Sequence, residues 1–353
     1  MRILTINPGG TSTKVAIYDN EREVFKKSID HTQAELQGFK TLFDQYDYRK
    51  SLILKILAEQ NEPLEGLSAV AGRGGLMKAI EGGVYTVNEA MISDLKNAIQ
   101  GEHASNLGAV LARQIADEAG VEAYVVDPVS VDEFMPISRL TGLSDIEKAS
   151  WLHALNHKAV CRKTAAKLGG RYEAFNFIVA HLGSGISIAP HAHGRMIDGS
   201  GGRSDGPFSP ERSGGIITYP LVKLCYSGKY TYGEMVDKIS NTGGMYDYLG
   251  TKDMRDIESR CLSGDEKAQL VMDAFIYQVS KEIAMYGASL HGKVDRIILT
   301  GGIAYSAYVC QEIEKRVGYL AEVEIVPGEM EMEALALGAL RVLSGEEAPK
   351  VYR

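Results

Sequence analysis

Cysteine is scarce in this chain, with four residues at positions 161, 225, 261 and 310 and no Cys-x-x-Cys pair. Such spacing excludes a disulfide framework and a cysteine zinc site, and it predicts that all four serve as small buried apolar residues. No basic run occurs, and 38 Lys and Arg against 46 Asp and Glu leave a formal charge of −8. A nucleic-acid partner, which would call for a basic stripe, is therefore not expected. No apolar stretch approaches the roughly 20 residues of a membrane span, so no membrane partner is expected either. Met1-Arg2-Ile3-Leu4 runs directly into a strand without a signal-peptide pattern. The expected location is cytoplasmic. Low-complexity segments and linkers are absent as well. What remains is 45% apolar and 24% charged over 353 residues, the composition of a packed globular protein long enough for two domains.

The most informative segment present is Asn7-Pro-Gly-Gly-Thr-Ser-Thr-Lys14, set between the apolar runs Ile3–Ile6 and Val15–Tyr18. Gly9 and Gly10 let backbone N–H groups approach an anion, Thr11 and Ser12 add hydroxyl donors, and Lys14 adds charge. The residue order is not that of a Walker loop, because a strand and not a helix follows. Alone, the segment fits either a phosphate loop or a plain glycine-rich hairpin turn. A second copy changes the balance. Phe177 to Ala189 is again strand, turn and strand, with His181 at the mouth of Gly183-Ser184-Gly185. A third junction carries Arg296–Thr300 into Gly301-Gly302 and then into Ile303, Val309, Ile313 and Val317, which share a helical face. Three such junctions suggest a duplicated nucleotide fold, in which two hairpins pinch the phosphates and Gly301-Gly302 lies against the nucleoside.

Between these junctions the pattern alternates. Apolar spacing predicts helix from Glu35 to Glu59 with an interruption near Asp47, and helices near Asn88–Gln100 and Ser105–Ala119. Strands Leu67–Ala71 and Ala123–Val126 deliver Arg73 and Asp127 at their carboxyl ends, where open α/β sheets gather ligands. The expected fold is α/β, with one domain over 1–150 plus 335–353 and a second over 151–334. A helix from Asp145 to Leu168, with Trp151, Leu155 and Val160 in the core, would open the second domain. His153 and His157 on that helix lack the glutamate of a zincin. Four apart on one helical face, they could still bind a metal, or they could be one hydrogen-bonded, partly buried histidine and one exposed one. Asp198 to Gly215 is the densest loop, and in it Arg212, between Pro210 and Ser213, can hold a phosphoryl group bidentately or simply pair with a nearby acid.

Taken together, Asn7–Lys14, Arg73, Val126-Asp127-Pro128, His153–His157, Ala180–Gly185, Pro207–Gly214 and Leu299–Gly302 resemble the acetate and butyrate kinase family over essentially the whole chain. The Gly-Pro-Phe-Ser-Pro-Glu-Arg-Ser-Gly form of the arginine loop is similar to the butyrate branch. The resemblance implies two duplicated actin-like, ribonuclease-H-like domains around a nucleotide cleft. It also implies reversible transfer of a phosphoryl group from ATP to a short-chain fatty acid, giving ADP and an acyl phosphate with Mg²⁺. By the same resemblance, Arg73 and Arg212 hold the carboxylate and the moving phosphoryl group, and His153 donates to an equatorial oxygen. Asp127 orders a Mg²⁺ water or an arginine, and His181, Asn7 and Lys14 belong to the phosphate hairpins. Glu333, in preference to Glu331, is the metal-linked acid alongside Asn7. Asp253, Arg255, Gly301, Gly302 and Ile303 line the adenosine pocket. Family members are commonly dimers or larger, so a homo-oligomer is expected, with Tyr219–Tyr232 as contact surface or core. The alternatives are acetate, propionate or isobutyrate as acceptor, a sugar or glycerol kinase, and a non-carboxylate actin-like ATPase.

Overall fold

Two apolar runs parted by Gly9-Gly10-Thr11 cannot continue as one strand. In the computed structural model, which describes residues 1–201 and 205–353, they fold back as β1 (Arg2–Pro8) and β2 (Ser12–Asp19), with Asn7 opposite Lys14. β3 (Arg22–Asp30), β4 (Ala69–Gly72), β5 (Val84–Thr86), β6 (Glu122–Val126) and the short C-terminal strand Lys350–Val351 complete the sheet. Its order is Lys350–Val351, β5, β6, β4, β1, β2, β3.

A second sheet is built from β7 (Asn176–Leu182), β8 (Ile186–Ala192), β9 (Arg195–Met196), β10 (Ser200–Gly201), β11 (Arg296–Gly301) and β12 (Val323–Pro327). Its order is β10, β8, β7, β11, β12, with β9 on β8. The two sheets repeat one plan. In β3-β2-β1-β4-β6 and in β10-β8-β7-β11-β12, a hairpin and a third antiparallel strand are followed by two parallel strands. This is the duplicated actin-like arrangement. The chain divides into two compact units, one of residues 1–132, 154–159 and 330–353, the other of residues 133–153 and 160–329.

Helices cover the sheets where their small or apolar faces permit. In the first unit, Gly108, Ala109, Ala112 and Ala116 on the helix Asn106–Ala119 are all buried, and the helix lies against β4 and β6. In the second, Met272, Phe275, Ile276, Val279 and Ile283 form the buried stripe of the helix Glu266–Ser289, which covers β7 and β8. Among the described residues no helix is long and apolar enough to cross a membrane.

Several expectations are corrected. The predicted helix 145–168 begins only at Ala154, because Leu140 and Glu147 pair as a β-bridge and Lys148 is drawn into an ion pair with Asp198. Trp151 is exposed, not core, whereas Leu155 and Val160 are buried. The Glu35–Glu59 region breaks between Gln37 and Leu42, ahead of the expected point, and resumes as a short 3₁₀ turn and the helix Tyr46–Glu59. Cys161 and Cys310 are buried as expected, but Cys225 is exposed and Cys261 half-buried. Tyr219, Tyr226 and Tyr232 are exposed, which removes the core alternative for that stretch.

Candidate active site

In the first unit, β4 and β6 run parallel with Gly72 beside Val125, so Arg73 and Asp127 leave the sheet at the same end. The glycines around Arg73 are there because nothing larger fits. A Cβ on Gly72 would lie 2.2 Å from the Gly108 carbonyl oxygen, and one on Gly74 would lie 2.3 Å from Pro128. Arg73 is thus held on a strand end pressed directly against helix and turn. Its guanidinium forms a two-pronged pair with Glu331, with Nη1 3.0 Å from Oε2 and Nη2 2.9 Å from Oε1. Asn7 closes the cluster by donating from Nδ2 to Glu331 Oε2 at 2.6 Å and accepting from Arg73 Nη1 at 3.3 Å.

Glu331 is buried and opens the helix Glu331–Leu343, where the helix dipole favours an acid. Asn156 fixes that helix start by accepting from the Met330 N–H at 2.9 Å. The expected metal-linked acid, Glu333, lies two residues further along. Residues two apart do not share a helix face, and it is Glu331 and not Glu333 that meets Asn7 and Arg73. Asp127 is fully buried, with a left-handed φ of 37°, and is tied to Gly83 in both directions. Its Oδ1 accepts from the Gly83 N–H at 2.7 Å, and its own N–H donates to the Gly83 carbonyl at 3.0 Å.

The second unit gathers a separate cluster at the turn between β7 and β8. A Cβ on Gly185 would lie 2.8 Å from Arg212 Nη1, so the guanidinium occupies the space that a side chain would need. The arginine loop is fastened to the same turn by Ser209, whose Oγ donates to the Ser184 carbonyl at 2.6 Å and accepts from the Arg212 N–H at 3.0 Å. His153 and His181 stack with ring centroids 3.9 Å apart and an interplanar angle of 12°. Ser187, on β8, bonds His153 Nδ1 at 2.7 Å and sets its ring. Glu329 Oε1 stands 3.8 Å from His181 Nε2. His153 precedes the first helical turn, so it does not share a helix face with His157. His157 is fully buried and His153 half-buried, so neither is the exposed member that the pair was read to contain.

At the β11 end Gly301 has φ 89°, and a Cβ there would meet the Leu182 carbonyl oxygen at 2.4 Å, whereas Gly302 faces open space and Ile303 is buried. Asp253 and Arg255, expected at the adenosine pocket, pair with each other at the start of a helix. Asp253 caps the helix Met254–Leu262 and takes both Nε and Nη2 of Arg255, which holds its carboxyl down at about 2. Arg203, the other arginine of the long loop, lies outside the described residues.

No group of three or more His, Cys, Asp or Glu among the described residues could hold a metal ion. The Asn7 and Glu331 oxygens are the hard donors that suit Mg²⁺, which keeps most of its waters and binds through one or two carboxylates and substrate phosphates. Sequence reasoning missed Ser187, Asn156 and Arg49. Arg49 carried a signal, since it falls in register with Ile53, Ile56 and Leu57, the other buried residues of its helix.

Residues 146–327 match the model of the acetokinase family. Along its whole length the chain is 50% identical to butyrate kinase 1 of Clostridium acetobutylicum, over 353 residues and 99% of that protein. The chain belongs to the acetokinase family. It is a carboxylate kinase, a phosphotransferase. Among solved structures it is similar to the acetate kinase of Porphyromonas gingivalis, with a TM-score of 0.78 and 18% identity over 97% of this chain and 99% of that one. It is also similar to a propionate kinase from Francisella tularensis, with a TM-score of 0.72 and 21% identity over 96% and 98%. Those likenesses bear on the fold, which is the actin-like one.

Proposed function

We propose that this acetokinase-family enzyme transfers the terminal phosphoryl group of ATP to butyrate, reversibly and in line. The single observation that carries the choice of acid is the 50% identity, end to end, to a butyrate kinase. A carboxylate oxygen forms a bond to phosphorus as the bond to ADP breaks. The acid is already ionised at neutral pH, so no residue is needed as its base. Charge spread over three equatorial oxygens is what the protein must stabilise. Arg212 takes that task, supported by His153, whose ring Ser187 orients. Arg73, braced by Glu331, binds the carboxylate. The Gly183–Gly185 turn, His181 and the Gly9–Ser12 loop hold nucleotide phosphates, and Gly301 to Ile303 contact the nucleoside. When bound with the nucleotide, Mg²⁺ would neutralise phosphate charge, and Asn7 and Glu331 are the residues that would hold its water shell.

Butyryl phosphate trapped with hydroxylamine checks the reaction, and kcat/KM across acetate, propionate, butyrate, isobutyrate and valerate checks the acid. Each methylene buried in an apolar pocket contributes about 0.8 kcal/mol, roughly fourfold in binding. A peak at four carbons is expected, with acetate lower by at least about tenfold. Acetate equal to butyrate would leave the kinase chemistry intact and remove the butyrate assignment. We also propose self-association through the helix Thr218–Cys225, which buries none of its own residues and exposes Tyr219 and Val222. Sedimentation that shows a monomer would refute this.

A further inference from the structure

The loop between β1 and β2 rests on a buried cation. Arg49 has no exposed surface. Its Nη1 donates to the carbonyl oxygens of Gly9 at 2.9 Å and Ser12 at 3.1 Å and to Thr13 Oγ1 at 2.9 Å, and Nη2 donates to the Gly10 carbonyl at 3.2 Å. Gln45, one turn earlier, accepts from Nε at 3.1 Å and from Nη2 at 2.8 Å. Among the described residues no carboxylate pairs with this guanidinium, which retains its charge. A buried charge that faces only neutral groups is costly, so a fold that keeps one has a use for the field.

The loop geometry shows where that field acts. In a trans peptide the C=O and the following N–H point in opposite directions. No peptide bond here is cis. With the carbonyls of Gly9 and Gly10 turned onto Arg49, the N–H groups of Gly10 and Thr11 point away from it. Neither N–H has an acceptor among the described residues. Both residues are exposed, and a Cβ on Gly10 would meet nothing within 4 Å. Two outward N–H groups backed by an unpaired cation make an anion site.

We propose that Arg49 is a positioning residue for a nucleotide phosphate, fixing the loop from beneath so that Gly10 and Thr11 present their N–H groups, and drawing the anion with its unneutralised charge. This rests on the reading of the β1–β2 loop as phosphate-binding. The decisive variant is Gln45→Glu, which keeps the shape and the acceptor toward Arg49 but supplies the missing counter-charge. It should melt no lower than the parent, raise the Kd for ADP by calorimetry and the KM for ATP about tenfold, and leave the KM for butyrate within about twofold. Unchanged nucleotide affinity would reduce Arg49 to a loop brace, and a lower melting temperature would show that the cation is not in need of a partner. Either result overturns the proposal. Gly10→Val separates the two layers of inference. If it weakens ADP binding while Gln45→Glu does not, only the role of Arg49 fails. If a side chain in that open space leaves ADP binding intact, the loop is not a phosphate site at all.

Discussion

Glu331→Gln is the sharpest test of the first-unit cluster. The carboxylate accepts from Asn7 Nδ2 and from both terminal nitrogens of Arg73, all between 2.6 and 3.0 Å. An amide keeps the shape but can accept on one atom only, and its NH₂ group then faces a guanidinium N–H. One charge-assisted bond is lost outright, worth about 1.5 to 3 kcal/mol. Arg73 keeps its charge without a counter-ion, in a position about one quarter exposed, so water limits the further loss. The protein should therefore fold, with a melting temperature lower by several degrees. The effect on turnover should be larger, because Arg73 is released from the one geometry in which both prongs are fixed. A fall in kcat/KM for butyrate of about a hundredfold is expected, on the scale of a mispositioned binding group. Glu333→Gln, on the same helix but off that face, is the control and should stay within about threefold. Coupled-enzyme kinetics and a thermal melt on both variants decide it. Near-normal kcat/KM in Glu331→Gln beside a crippled Glu333→Gln would refute the reasoning.

Arg212→Ala should lower kcat on the order of 10³-fold while ADP binding by calorimetry is nearly kept, and Arg212→Lys should rescue little because lysine lacks the planar fork. His153→Ala should lose turnover with its fold intact. His157→Ala, by contrast, removes a fully buried side chain and should show first as a lower melting temperature. His31 accounts for a pH effect in the first unit. Burial first, and the nearby Arg49 second, hold its pKa below the ordinary 6.5, so the fold favours its neutral form. The unfolded chain then binds the proton more readily. Stability present above 6.5 should be lost as the pH falls below it, and His31→Gln should flatten that slope in melts across the range.

Much of this architecture was legible because it is written in local patterns. Apolar runs broken by Gly9-Gly10, Gly183–Gly185 and Gly301-Gly302 mark three strand ends, and each is found where a hairpin turns or a strand stops. Arg73 and Asp127 were placed by the strands that precede them. The helix 145–168 failed for a different reason. Its first third has a tolerable helical composition, but the bridge between Leu140 and Glu147 and the pairing of Lys148 with Asp198 outbid a propensity of tenths of a kcal/mol per residue.

The site residues divide along the same line. Arg73 and Glu331 are 258 residues apart, and no window of sequence states that they pair. The resemblance points to Glu333 in preference to Glu331 as the metal-linked acid, and only the phase of the helix that begins at Glu331 shows which of the two meets Asn7 and Arg73. Arg49 is the opposite case, a residue whose signal is local. An arginine at the apolar phase of a helix, followed by Ile53 and Ile56, must either bend away or be buried with enough acceptors to satisfy it. A helix interior rarely offers such acceptors, whereas a glycine loop with several carbonyls turned one way offers three of them, and Gln45 and Thr13 supply the rest. A charged residue in core register and a glycine-rich hydroxyl loop are therefore better read together than apart. Each explains what the other lacks, the arginine its acceptors and the loop its outward N–H groups.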